Sequence, residues 1–236
     1  MAIAFLSAQW RNLILITWSV PPELLRAIAP RGIEPDVRAG RAFVSFVAFD
    51  FRDTRVLSVP WPGHIRFPEA NLRYYVRQGK RRGVCFVREY VPKPLIAMVA
   101  RWGYNEQYAT AAMDFRKGAN GDGEIALDYQ MKAHGASARI RVVSGAAVPP
   151  PASNSLEHFF KEHEWGYGRF HSGHTLMYRV RHPHWRVHPI KKIDWEIDFA
   201  GLYGEEWGFL EEQKPFSAIH AEGSPVTVSF PRILWQ

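Results

Sequence analysis

Ile125-Ala126-Leu127-Asp128-Tyr129-Gln130-Met131-Lys132 is the stretch that decides the fold class. Its larger apolar side chains fall at every second position, and a strand sends successive side chains to opposite faces. The same period returns in Ile193-Asp194-Trp195-Glu196-Ile197-Asp198-Phe199 and, more weakly, over 138–143, 176–181 and 226–230. Segments 13–20 and 42–51 are apolar at both parities. Such strands need cover on both faces, as in a filled barrel wall backed by further elements. Segments 71–76 and 84–90 also read as strands, joined by the basic hairpin loop Gln78-Gly79-Lys80-Arg81-Arg82-Gly83.

Helical signals are few. Pro22 suits the first turn of a short helix over 22–28, which stops before Pro30. A second helix is expected over 95–102, ended by Gly103. A third is expected over 155–163, capped by Asn154 with Glu157 three residues on. Roughly ten strands with three short helices make a β-dominated α+β class. No internal repeat is evident, and the proline-rich 145–151 reads as a connection within one barrel. A single domain over 1–236 is therefore expected.

Composition narrows the function classes. With 236 residues, 47% hydrophobic and 22% charged, the chain can bury a core without staples and is not a disordered type. Its one cysteine, Cys85, excludes an intramolecular disulfide and a cysteine zinc cluster, suits the cytoplasm, and reads as a small core residue. The longest apolar run, 13–20, is too short to span a bilayer, so no membrane partner is expected. A net charge of +7 invites a nucleic-acid reading, and Arg73, Arg77, Lys80, Arg81, Arg82 and Arg88 crowd one hairpin beside Tyr74 and Tyr75. The other arginines are spread along the chain without a recognised motif. A solvated loop, and no nucleic-acid partner, is expected. Seven of the ten histidines lie in 158–188, and His182 and His184 would share one strand face as metal ligands do. No acidic residue accompanies the later members, so no metal is expected. No phosphate loop, nucleophile elbow or dinucleotide fingerprint occurs, and no cofactor is expected.

Three stretches carry a family resemblance: Gln9-Trp10-Arg11 with Trp18-Ser19-Val20-Pro21-Pro22-Glu23-Leu24-Leu25; Gly40-Arg41-Ala42-Phe43-Val44-Ser45; and Phe67-Pro68-Glu69-Ala70-Asn71-Leu72-Arg73-Tyr74-Tyr75-Val76. In this order and spacing they resemble the YqjF-like family of bacterial proteins, which is similar to the acetoacetate-decarboxylase-like superfamily. The resemblance is good over 5–115, looser over 153–200 and weak elsewhere. It implies a closed, cone-like antiparallel β-barrel around a small-molecule cavity. Enzymes of that superfamily use a lysine that forms an imine with the substrate carbonyl, accompanied by an arginine near the first strand and a glutamate in a Tyr/Phe-x-Glu string. By this resemblance Arg11 and Glu69 take the latter two places. The lysine's string, similar to Trp-Gly-Tyr-Pro-Lys-Lys, is here Trp102-Gly103-Tyr104-Asn105-Glu106-Gln107. Glu106 holds the reactive position and Gln107 its neighbour. A carboxylate cannot form an imine in any environment. Lys93, between Pro92 and Pro94, reads as a solvated loop lysine.

The resemblance thus implies that Arg11, Glu69 and Glu106 meet in one cavity. An arginine offers a permanent charge and a planar fork for an anion. Two carboxyls in a partly dry site push their pKa values apart, which suits proton transfer on a small carbonyl or carboxylate compound. Two other readings stay open: Arg11 paired structurally with Glu69 or Glu106, and ligand binding without turnover. Trp18, Trp102 and Tyr104 are candidate pocket walls, with core filling as the alternative. The expected partner is a small organic ligand, anionic ones included, and a homo-oligomer is compatible with the sequence.

Overall fold

The structure is a computed structural model. It describes residues 4–234 apart from 105, 106, 122, 171 and 172, and, within its helices and strands, omits the side chains of 102–104 and 120. Strand β1 (Leu6–Val20) and helix α1 (Pro22–Ile28) are followed by β2 (Glu34–Pro35), β3 (Ala42–Val56), β4 (Val59–Pro60), β5 (Phe67–Gln78) and β6 (Arg81–Val91). Helix α2 (Pro94–Tyr104) leads to β7 (Tyr108–Thr110), β8 (Ala112–Asn120), β9 (Glu124–Ala133) and β10 (Ala136–Ser144). Helix α3 (Leu156–Lys161) precedes β11 (Trp165–Arg169), β12 (Thr175–Arg181), β13 (Val187–His188) and β14 (Ile190–Ile197). Helix α4 (Phe199–Tyr203), a 3₁₀ turn (Glu205–Leu210), β15 (Ser217–Val228) and β16 (Arg232–Leu234) complete the chain.

Twelve strands form one sheet along the path β13-β15-β1-β3-β5-β6-β11-β12-β16, with β2, β4 and β7 at its margins. Val180↔Val228 and Arg181↔Thr227 also join β12 to β15, turning the path back towards its start. The expectation of a purely antiparallel sheet is corrected at β6, which runs parallel to both β7 and β11. Parallel neighbours need long crossovers, and here α2 fills the first while the second contains β8, β9 and β10, three strands of an extra sheet. That extra sheet, β14-β10-β9-β8, is antiparallel and holds both of the most regular alternating segments. A single barrel wall had been expected to contain them. The alternation also overran one boundary. Asp198 caps α4 by accepting from the Gly201 amide, so Phe199 starts a helix instead of extending β14. Likewise Ser155, not Asn154, caps α3, its hydroxyl accepting from the His158 amide at 3.1 Å.

The strands that are apolar at both parities are buried on both faces, as their composition required. Ile14, Ile16, Phe46 and Leu72 face a core shared with the smaller sheet, α4 and the 3₁₀ turn. Leu13, Leu15, Phe43 and Phe49 face a second core with Phe160 of α3 and Trp185. A buried hydroxyl chain, Thr17 to Ser45 to Tyr75, ends on the Phe160 carbonyl and ties α3 to this second face. Cys85 is buried in the first core. Among the described residues no helix is long and apolar enough to cross a membrane.

Two one-residue irregularities set which side chains face which core. In β1 the register slips between Arg11↔Asp50 and Ile14↔Ala48, at Asn12 with φ 54°. Ala8 and Trp10 therefore share a face with Leu13 and Leu15, across a change of parity. In β6 the partners step from Leu72↔Arg88 to Arg73↔Phe86, leaving Val87 as the extra residue.

The pairing of β6 with β11 depends on a residue without a side chain. A Cβ on Gly83 would lie 2.4 Å from the Trp165 carbonyl oxygen and 2.7 Å from the Tyr167 ring. Because backbone cannot step aside cheaply, Gly83→Ala should lower unfolding free energy by about 2 kcal/mol or more. Gly118→Ala, whose Cβ would meet nothing within 4 Å, should stay within about 1 kcal/mol of wild type. Urea unfolding of the two variants beside wild type checks the contrast.

Candidate functional site

β5 carries Phe67, Glu69, Asn71 and Arg73 at one parity, so all four side chains fall on the face of the second core. They line a cavity of about 120 Å³. Its apolar wall is aromatic. Trp10 lies 5.1 Å from Phe49, Phe51 stacks on Phe67 at 4.8 Å, and Phe86 and Tyr178 add further surface. Ile96, Val99 and Ala100 of α2 close another side. That is space for several water molecules or one small organic molecule.

Two carboxyls sit in this aromatic box. Glu69 and Glu89 are each 3% exposed and hydrogen-bond to one another. Glu89 lies between Asn71 of β5 and Tyr108 of β7 in the strand pairings. The Tyr108 hydroxyl donates to Glu69 Oε2 at 3.0 Å, and Asn71 Nδ2 donates to Glu69 Oε1 at 3.2 Å. Burial dominates and raises the Glu69 pKa to about 7; the bonds from Tyr108 and Asn71 and the contact with Glu89 pull the other way. Burial, then the two nearby carboxyls, holds the Tyr108 hydroxyl well above its ordinary value, so it remains a donor.

Polar atoms without a protein partner gather at the same cavity. Trp10 Nε1, Thr54 Oγ1, Asn71 Oδ1 and Arg73 Nε are buried and unpaired, and all four residues are in its lining. An unsatisfied buried polar group costs about 1–3 kcal/mol, so a bound molecule or ordered water that meets these atoms recovers that cost. Arg73 is anchored by donating from Nη2 to the Phe160 carbonyl at 2.8 Å. Among the described residues it is the cation in the lining, and no lysine is there.

The sequence-derived candidates divide. Glu69 is at the centre of the site. Arg11 is not among the lining residues; its guanidinium donates to Gln9 Oε1 at 2.8 Å, away from the Trp10 face. Trp18 is also corrected. It is fully buried in the first core, edge-on to Trp195 and Phe199, with its Nε1 donating to the Gln213 carbonyl. The bulge at Asn12 puts it on the face opposite Trp10. Glu106 and the side chains of Trp102 and Tyr104 lie outside the described residues. Among the described residues no group of three His, Cys, Asp or Glu side chains could hold a metal. His182 stacks on Trp185, with ring centroids 4.1 Å apart, and His184 meets His158 edge-on.

Glu89, Tyr108, Asn71 and Arg73 were missed. The last two were legible, standing two and four residues after Glu69 on an alternating strand. Glu89 was not, because it stands three positions after Phe86 and a regular strand would send the two to opposite faces.

A sequence model of the DUF2071 family, described as an uncharacterized conserved protein, matches residues 7–225. The chain belongs to this family. It is 33% identical over 124 residues to the uncharacterized protein YqjF of Bacillus subtilis (strain 168). That match takes in 52% of this chain and 49% of the relative, so it spans about half the relative's length. The DUF2071 chain is also similar in fold to an acetoacetate decarboxylase-like enzyme from Sphingomonas wittichii RW1, with a TM-score of 0.68, 14% identity and coverage of 99% and 94% of the two chains. Acetoacetate decarboxylase from Legionella pneumophila gives a TM-score of 0.66 at 13% identity, covering 99% and 88%. The enduracididine biosynthesis enzyme MppR, complexed with pyruvate, gives 0.69 at 15%, covering 100% and 91%. At such identities the likeness shows the fold alone.

Glu69 makes stability depend on pH in a definite direction. Its folded value of about 7 lies above the ordinary 4.5, so between those limits the unfolded chain releases a proton that the native protein keeps. Its contribution therefore disfavours the native state progressively as pH rises from about 4.5 to about 7. Glu69→Gln removes this term. Its stability relative to wild type should rise across that window by on the order of 1–3 kcal/mol, measured by urea unfolding at stepped pH.

Proposed function

We propose that this DUF2071 protein is a single acetoacetate-decarboxylase-like domain, its large sheet closing as a cone-like barrel around the aromatic cavity, and that it binds a small carbonyl or carboxylate compound there. The observation that carries the proposal is the hydrogen-bonded Glu69–Glu89 pair inside a cavity whose lining residues also include four buried polar atoms without a protein partner. MppR, a fold relative, is complexed with pyruvate, which supports a ligand of this size and class.

The reaction we assign is proton transfer. Two carboxyls joined by a hydrogen bond share a proton, so one member is an acid while the other is a base. The base removes a proton from the carbon beside the substrate carbonyl as the acid gives its proton to the carbonyl oxygen, leaving an enol. Reversal returns both protons. Arg73 supplies positive charge for a carboxylate on the ligand, the role assigned from sequence to Arg11. Trp102, Tyr104 and Glu106 follow the α2 residues that line the cavity, and we retain them as candidates for completing it. An imine route is not part of the proposal, since position 106 is glutamate and no lysine occurs between Lys93 and Lys117.

Exchange of the α-hydrogens of pyruvate and 2-oxobutanoate in deuterated buffer, followed by proton NMR, tests this. Wild type should accelerate exchange, Glu69→Gln and Glu89→Gln should each reduce the rate about 100-fold, and affinity should change far less. Borohydride should trap no ketone adduct on the protein. Binding without exchange supports the second reading, a ligand carrier or sensor, which the unpaired polar atoms favour equally. Failure of either compound to bind overturns both.

A further inference from the structure

A second cavity, of about 200 Å³, lies against the opposite face of β6, and Phe86 contributes to the walls of both. Its interior is lined by Tyr74, Cys85, Tyr167 and Trp207, all buried. The Tyr74 hydroxyl is satisfied by donating to the Ile28 carbonyl at 3.1 Å. Tyr167 is different. Its side chain is 0% exposed and its hydroxyl has no partner within the protein. Burial raises that hydroxyl to about 12, so it stays protonated and able to donate. Leaving it unpaired beside an open space carries a desolvation cost that a polar atom in the cavity removes.

The rim has the opposite character. Arg169, Glu206 and Gln107 are exposed residues of the lining, so both signs of charge border the opening. One arm of Arg169 is held by the Ala29 carbonyl at 3.3 Å, which steadies the guanidinium at that edge. The lining thus combines a cation and an anion among its exposed residues with aromatic side chains and one unpartnered hydroxyl among its buried ones.

We propose that this cavity binds an α-amino acid whose side chain has an apolar body and a hydrogen-bonding tip, of which tyrosine is the type. Arg169 takes the carboxylate and Glu206 the ammonium. Trp207, Phe86 and Val87 flank the side chain, and the Tyr167 hydroxyl pairs with its tip. Both charges are needed, so a ligand lacking the ammonium is held less well. The tip is needed as well, so phenylalanine is held less well than tyrosine. The site is separate from the Glu69–Glu89 cavity and does not depend on the chemistry proposed there.

The test uses the full chain, three probes and two conservative variants. L-tyrosine, L-phenylalanine and 3-(4-hydroxyphenyl)propanoate are titrated to about 1 mM, with the Trp207 indole followed by NMR. Wild type should prefer L-tyrosine over each of the other two by about fivefold or more, the worth of one buried or charge-assisted hydrogen bond. Tyr167→Phe should erase the preference over phenylalanine and leave the preference over the propanoate. Glu206→Gln should do the reverse. This crossed pattern cannot come from a general loss of structure, because each variant keeps one of the two preferences. No shift of the Trp207 signal with L-tyrosine overturns the proposal, as does a preference that neither substitution changes.

Discussion

A strand buried on both faces has no solvent side to orient it. Its side chains are distributed by the positions at which an extra residue enters the ladder, and in this protein two of these positions bring Trp10 and Glu89 to the cavity. Asn12 switches the parity of β1, so Trp10 faces the aromatic cavity while Trp18 faces the other core. Val87 does the same in β6, bringing Phe86 and Glu89 to one face. Without that switch Glu89 would point into the first core, and Glu69 would have no carboxyl beside it.

Burial on both faces also explains the chemistry available. The aromatic wall that stabilises the second core dries the space around Glu69, and drying raises its pKa towards neutrality. Asn71 and Tyr108 limit the rise by donating to it. The result is a buried, hydrogen-bonded pair of carboxyls held on adjacent strands. The same sheet supports the second cavity from its other face, with Phe86 lining both. Tyr167 reaches that cavity because Gly83 leaves room for its ring.

The comparison with acetoacetate decarboxylase-like folds gains meaning from what differs in the chain itself. Enzymes at 13–15% identity share the fold. By the resemblance drawn from the sequence, position 106 corresponds to the imine-forming lysine and Glu69 to the superfamily's glutamate, and a glutamate at 106 offers no amine. Arginine is present at the cavity, but as Arg73 on β5 and not Arg11 on β1. A positive charge can be supplied from either strand, provided its side chain has the right parity.

Much of the architecture was legible in the linear order of residues. Alternation at 125–132 and 193–197 revealed strands, double-faced apolar runs at 13–20 and 42–51 revealed strands covered on both sides, and the family resemblance of the Phe-Pro-Glu string singled out Glu69. The strand signals depend on near neighbours along the chain, where hydrophobic period acts directly. The division into two sheets, the parallel pairing of β6 and the partnership of Glu69 with Glu89 were decided only by tertiary structure. Each depends on register between strands distant in sequence, and one inserted residue reverses the facing of every side chain beyond it.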